Sequence, residues 1–248
     1  MEPAEYDKLD RLEDRMWWFA ATHANLMMLG GRFAPSAMPR RVLDAGCGTG
    51  GLLAKLAVTD AAGMVIGLDA DETACLRAGA KSARPVCRGS VNALPFRDAA
   101  FSAIFSADVL CHRDVDEVQA LRQFRRCLMP GGILVMNLPA YRWMLSRHDA
   151  AVYNVRRYTS RNAVQLLRDA GFRVLYASYC NIVLFPLMVI ARKLLPSRNA
   201  ASDVRPYAAP MEALGRAATA LERLFLQAGW RFPFGGSLIA VAGKSAEG

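Results

Sequence analysis

Apolar and polar positions divide this chain of 248 residues into two regimes. Before residue 40, Tyr6, Leu9, Leu12, Met16 and Phe19 recur at roughly helical spacing with charges between them, which predicts an amphipathic helix. That helix is expected to run into Trp17-Trp18-Phe19 and to be followed by a second apolar helix from Leu26 to Phe33, ended by Pro35 and Pro39. From residue 41 short apolar runs alternate with helical stretches. Arg41–Asp44, Met64–Asp69, Pro85–Arg88, Phe101–Ala107 and Ile133–Leu138 read as strands. Leu52–Val58, Glu72–Ala80 and Val115–Leu128 read as the helices between them. Continuous apolar strands separated by helices predict an α/β fold with a parallel sheet covered on both faces.

Beyond Pro139 the rhythm loosens. Thr159 or Ser160 can cap a helix from Arg161 to Ala170 that Gly171 closes, and Phe172–Tyr179 returns as a strand. The run Ile182–Ala191 is broken only by Pro186 and is too short to cross a bilayer. It reads as a buried helix, or as one resting on a membrane or framing an apolar pocket. A polar, proline-containing linker over 197–210 leads to an amphipathic helix, Met211–Ala228, and a last strand, Ser237–Ala242. The expected organisation is a helical arm (1–40), an α/β core (41–179), a helical cap (180–230), and a final strand and tail (231–248).

Charge refines this picture. The net charge is +9, and residues 139–205 hold eleven basic side chains against three acidic ones. Such a surplus is a solvated basic face, a site for an anionic acceptor, or a contact with an acidic membrane surface. Nucleic acid is not expected, because the arginines are not interleaved with exposed aromatics in a binding module. The six cysteines form no C-x-x-C pair. With no secretory leader they read as reduced thiols of a cytoplasmic protein, and no metal-ligand spacing is present.

The sharpest local signal is Val42-Leu43-Asp44-Ala45-Gly46-Cys47-Gly48-Thr49-Gly50-Gly51. A strand ends at Asp44, glycines let the main chain turn close to a ligand, and a helix then begins with unpaired N–H groups. Dinucleotide-binding folds share this design. Asp44, however, stands where a pyrophosphate would approach, and a carboxylate there repels phosphate and suits an ammonium. Asp69 ends the second strand nineteen residues beyond Gly50, a position from which a carboxylate accepts hydrogen bonds from ribose hydroxyls. The two acids together point to a nucleoside without a pyrophosphate.

These residues resemble the class I S-adenosylmethionine-dependent methyltransferase family, and the resemblance continues downstream. Gly89–Phe96 is similar to the segment after the third strand, Phe101–His112 to the fourth strand and its loop, Leu128–Gly132 to the turn into the fifth strand, and Ser237–Lys244 to the seventh. The resemblance implies a Rossmann-like, seven-stranded, mostly parallel sheet with an antiparallel seventh strand, binding S-adenosyl-L-methionine. Cofactor contacts are implied for Asp44, Gly46, Cys47, Gly48, Gly50, Asp69, Ala70, Ser90 and Val91, with Asp108 near the methionine end.

Methyl transfer needs alignment, a deprotonated acceptor and exclusion of water. His112, past the fourth strand, and His148, past the fifth, are the candidate bases, although either could be structural. The Trp17-Trp18-Phe19 arm, His148-Asp149 and Arg156-Arg157-Tyr158 resemble a bacterial subgroup associated with lipid, glycan or secondary-metabolite pathways. The resemblance implies an acceptor site drawn from Trp17, Trp18, Phe19, Tyr141, Arg142, Arg156, Arg157 and Tyr158. The acceptor is expected to be small or lipid-like, partly apolar and acidic at one end, with O-, N- and C-methylation all open. A peripheral membrane contact and a monomer or homodimer are also left open. The alternative is a non-methylating protein of the same fold, such as a cyclase-like catalyst or an assembly partner.

Overall fold

The structure, a computed structural model, describes residues 3–35, 39–59, 63–193 and 207–246. Strands β1 (Arg41–Ala45), β2 (Met64–Asp69), β3 (Val86–Arg88), β4 (Phe101–Ala107), β5 (Leu128–Pro139), β6 (Arg173–Cys180) and β7 (Ser237–Gly243) form one sheet. Their order is β3-β2-β1-β4-β5-β7-β6. Strands β1 to β5 pair in parallel, and β7 runs antiparallel between β5 and β6. The expected α/β sheet with its reversed seventh strand is present. Chain order reverses direction between β1 and β4, and such a switch point opens a crevice at the carboxyl edge of an open sheet.

Nine helices cover or flank the sheet among the described residues: α1 (Pro3–Leu12), α2 (Trp17–Phe33), α3 (Gly51–Thr59), α4 (Glu72–Ser82), α5 (Glu117–Cys127), α6 (Arg147–Ala151), α7 (Ser160–Asp169), α8 (Phe185–Lys193) and α9 (Ala209–Gln227). On one face Leu26 and Leu29 of α2, Leu53 of α3 and Leu226 of α9 pack onto Phe105, Val135 and Val241. On the other, Leu121 and Phe124 of α5 and Leu167 of α7 pack onto Ile104 and Leu134. Burial of each such side chain contributes about 1.5–3 kcal/mol. Helix α2 approaches the sheet closely enough that a Cβ at Gly30 would lie 2.5 Å from the Phe105 ring. It is thus a layer of the fold as well as part of an amino-terminal arm.

Several boundaries differ from the pattern. The single amphipathic helix expected from Tyr6 to Phe19 is two helices, because the chain turns at residues 13–16 and buries Glu13 and Met16. The new helix starts at Trp17, whose N–H donates to Glu212 Oε2 of α9 (2.8 Å), so its amino end is capped from 195 residues away. Pro186 does not break the apolar run but lies in the first turn of α8, where its missing N–H costs nothing. Helix α5 starts two residues late, at Glu117, because Asp116 caps it by accepting from Val118 N–H and Gln119 N–H (both 3.0 Å). Strand β5 begins at Leu128, five residues before the pattern predicts, and runs through Pro130-Gly131-Gly132 with a register shift against β4. The stretch 194–206, with most of the expected polar linker, lies outside the described residues, as do residues 247–248 of the tail.

Candidate active site

The glycine loop takes its shape from backbone geometry. Gly46, Gly48 and Gly50 all have positive φ (80°, 53° and 93°), a region that favours glycine. At two of them space is closed as well. A Cβ on Gly46 would lie 2.4 Å from Val109, and one on Gly50 would lie 2.6 Å from the Ala78 backbone in α4. Gly48 has only Leu9, at 3.6 Å, opposite it. Gly46 N–H and Cys47 N–H both donate to the Leu68 carbonyl (2.7 and 2.9 Å), tying the loop to β2. Gly48 N–H donates to Asp69 Oδ2 (2.9 Å), and Asp71 N–H donates to Asp69 Oδ1 (3.0 Å). The Asp69 carboxylate is therefore held in one orientation at the end of β2.

Helix α1 closes over this loop. Glu13, 3% exposed, accepts from the Thr49 hydroxyl (2.7 Å) and from Lys81, and its carboxyl lies where a Cβ on Gly51 would be. A carboxylate is well placed there, at the positive end of α3. Lys81 also pairs with Asp10 (2.8 Å), and Arg77 pairs with Asp7 and donates to the Tyr6 carbonyl (3.0 Å). Glu13 was not legible beforehand, since its partners Thr49 and Lys81 are 36 and 68 residues away.

A single cavity of about 1330 Å³ runs from this loop along the carboxyl edge of the sheet. Of the expected cofactor residues, Asp44, Gly46, Cys47, Gly48, Asp69, Ala70, Ser90, Val91 and Asp108 line it; Gly50 is turned against α4. Asp44 is 1% exposed, and its Oδ2 has no hydrogen-bond partner among the described residues. Burial, together with nearby Asp69 and Glu13, raises Asp44 to about 8 despite a backbone hydrogen bond from Leu53. Asp108, with φ 55°, accepts from Asn137 Nδ2 (2.9 Å). Burial raises it to about 6, opposed by Asn137 and the Arg157 guanidinium. A buried carboxyl oxygen with no partner among the described residues, and a surplus of acids, fit a ligand with cationic centres. The glycine turn and the Asp69 carboxylate fit its nucleoside part.

Apolar side chains line the cavity as well. Trp17, Trp18 and Phe19 all line it, with Leu184, Leu187 and Met188 of the α8 region and Met211 of α9. Trp17 also locks α2 to α9, as a Cβ on Gly215 would lie 2.5 Å from its indole. His112 and His148 line the same cavity. His112 Nδ1 lies 3.5 Å from Asp114 Oδ2, and burial lowers the imidazole from its ordinary value. Thr22 and His23 of α2 line it too, and went unnoticed because the apolar stripe of that helix carries no mark for them.

Four residues expected at the acceptor lie elsewhere. Arg156 turns onto the carbonyls of Leu110 (3.1 Å), His112 and Val115 and pairs with Glu117 (3.1 Å). Tyr158 is buried, its hydroxyl donating to Leu110 O and bonded to Glu117 (both 2.9 Å). Tyr141 stacks on Tyr179 (5.2 Å), and Arg142 is exposed on a 3-10 turn. None of the four lines the cavity. Arg157 does, but it is spent on Asp149 in a buried pair, its Nε and Nη2 each donating at 3.0 Å. The strand ends and turns leave carbonyls that need donors, and these arginines and the tyrosine hydroxyl supply them.

Comparison with known proteins agrees with this geometry. Residues 43–136 match the family described as a methyltransferase domain. An O-methyltransferase of Aspergillus sclerotiorum is 31% identical over 170 residues, covering 62% of each chain. A probable S-adenosylmethionine-dependent methyltransferase of Mycobacterium tuberculosis is 30% identical over 144 residues, covering 57% of this chain and 52% of that one. The chain thus spans about half to three fifths of the length of these relatives. In fold, it is similar to a solved S-adenosylmethionine-dependent methyltransferase from Mesorhizobium loti, with a TM-score of 0.59 at 18% identity over 93% of this chain and 99% of the other. Sheet order, acidic strand ends and glycine loop agree with the methyltransferase-domain match, and over residues 43–136 the chain is similar to S-adenosylmethionine-dependent methyltransferases.

Proposed function

We propose that this protein transfers a methyl group to a small, partly apolar, metabolite-like or lipid-like acceptor enclosed by the amino-terminal arm and a helical cap. The observation that carries this reading is the continuity of the cavity. At about 1330 Å³ it exceeds the ~300–1000 Å³ of an ordinary single-ligand pocket. Its mixed acidic and apolar lining therefore suits two ligands meeting near Asp44 and Asp108. When bound, S-adenosylmethionine supplies an electrophilic methyl group on a sulfonium. Asp69, Ser90 and Val91 would hold the nucleoside and Asp44 the ammonium. The loop glycines admit the backbone approach. Trp17, Trp18, Phe19 and the residues of α8 and α9 would exclude water and align the acceptor, with His112 or His148 taking its proton.

The test is turnover. Purified protein given S-adenosylmethionine and candidate acidic or apolar acceptors should release S-adenosylhomocysteine in equal amount with a methylated product found by mass. Tight nucleoside binding without release across such a series would instead favour the non-methylating alternative. Asp69→Ala should weaken S-adenosylhomocysteine binding by ~1–3 kcal/mol, because it removes charge-assisted bonds to hydroxyls. An affinity within twofold of the parent, by calorimetry, would take Asp69 out of the site.

Proton linkage gives an independent check. With Asp44 near 8, its carboxyl is protonated at pH 7 in the ligand-free chain and must ionise to accept from an ammonium. Binding of S-adenosylmethionine at pH 7 should therefore release about one proton. Calorimetric enthalpies should differ between phosphate and Tris buffers, and equal enthalpies would contradict this role. The folded value lies above the reference 3.8, so Asp44 makes the ligand-free fold progressively less stable as pH rises from about 4 to about 8.

A further inference from the structure

Three segments assemble an outward-facing aromatic surface around the start of α8. Phe185, at the start of α8, lies 5.6 Å from Tyr141, 6.2 Å from Trp143 and 6.1 Å from Phe234 between ring centroids. The inner side of this cluster is Tyr141 stacked on Tyr179. Its outer side reaches solvent: Trp143 is 50% exposed and Phe234 43%. In the same region Val183 (53%) and Leu187 (50%) are also exposed. Single exposed apolar side chains are ordinary, but a grouped surface of large ones marks contact with an apolar partner. The α8 region contributes both to the cavity wall, through Leu184, Leu187 and Met188, and to the aromatic cluster, through Phe185.

Charge identifies the partner. Segments 139–148, 181–193 and 230–236, which meet here, contain five basic residues and no Asp or Glu. Arg142, next to Trp143, and Arg147, at the cavity, are exposed, whereas Arg231 lies over the Tyr176 ring. A second copy of the chain docked symmetrically through this face would oppose like charges with no carboxylate from these segments to answer them. An anionic lipid surface answers both the aromatic and the basic character, since aromatic rings settle at headgroup level and arginines meet the phosphates.

We propose that this face is a docking surface for anionic membranes, with Trp143 and Phe234 as its interfacial anchors. The contact is peripheral, because among the described residues no helix is long and apolar enough to cross a bilayer. Resting on the function proposed above, Leu187 then marks the route by which a lipid-borne acceptor reaches the cavity from the membrane side.

Flotation of the full chain with two kinds of vesicle tests this. One contains equal parts phosphatidylcholine and phosphatidylglycerol, the other phosphatidylcholine alone. Binding should be at least tenfold stronger to the anionic vesicles and should fall as NaCl rises from ~0.05 to ~0.5 M, because salt screens exposed charges. The double variant Trp143→Asp/Phe234→Asp should bind anionic vesicles at least tenfold more weakly, with S-adenosylhomocysteine affinity and melting temperature unchanged. If the variant folds poorly, the lipid and salt series on the parent chain decides. The proposal is overturned by parent protein that floats with neither vesicle, or by a folded variant that floats as well as the parent. A dimer that the variant dissociates, without vesicle binding, would make the face a contact between two copies. Nucleoside binding reports separately on the function proposed above, so failure of one reading is distinguishable from failure of the other.

Discussion

Replacing Arg157 with methionine is expected to cost about 3–5 kcal/mol of folding stability, the usual consequence of stripping the partner from a buried charge. The side chains of Arg157 and Asp149 are 4% and 1% exposed, and the guanidinium grips both carboxylate oxygens. Asp149 additionally accepts from Ser146 N–H (2.8 Å) and its hydroxyl (3.0 Å), forming the capping box of α6. Arg157 in turn donates to the Ala140 carbonyl just past β5 (3.1 Å). One pair thus joins the loop after β5, helix α6 and the segment before α7. Adding Asp149→Asn to the methionine variant should recover more than half of the loss, since it removes the stranded charge while an amide oxygen still accepts from Ser146. Urea unfolding of the two variants checks this, and a single variant within 1 kcal/mol of the parent would refute it. The same change reaches the site electrostatically. Arg157 lowers Asp108, so its loss should move Asp108 further above about 6.

His112→Ala should lower kcat by ~10²–10⁴ with the true acceptor while leaving S-adenosylhomocysteine affinity within twofold, if this imidazole removes the acceptor's proton. Burial lowers its pKa, so the ring stays neutral, and able to accept a proton, at pH values where an ordinary histidine is already charged. The sign follows: the fall of kcat on acidification should set in at a lower pH than an ordinary histidine would give. His148→Ala provides the comparison, because His148 lines the same cavity from α6. A selective loss in one variant assigns the base. Unchanged rates in both would mean that alignment and exclusion of water suffice, and the base assignment would fall.

The glycine loop and Asp69, which line the cavity, were legible in the sequence because their parts are local. A strand, a glycine turn and a helix within Val42–Gly51 produce their geometry from neighbouring residues, and Asp69 follows from the end of the next strand. The number of strands and the reversed seventh followed from the resemblance, and apolar strands between helices pointed to a parallel α/β sheet. Of the residues expected at an acceptor, fewer line the cavity. Arg156-Arg157-Tyr158 looks the same in sequence whether it meets a ligand, a carboxylate or a carbonyl, and in the fold all three side chains answer buried partners. The aromatic triplet was noticed, yet its position over the cavity depends on Glu212 capping α2 and Gly215 admitting Trp17, contacts that span nearly two hundred residues. Composition and periodicity determine which elements form and which face of each is apolar. Where a polar side chain ends depends on which unsatisfied backbone group or charge the packed layers bring to it, and only the tertiary structure decides that.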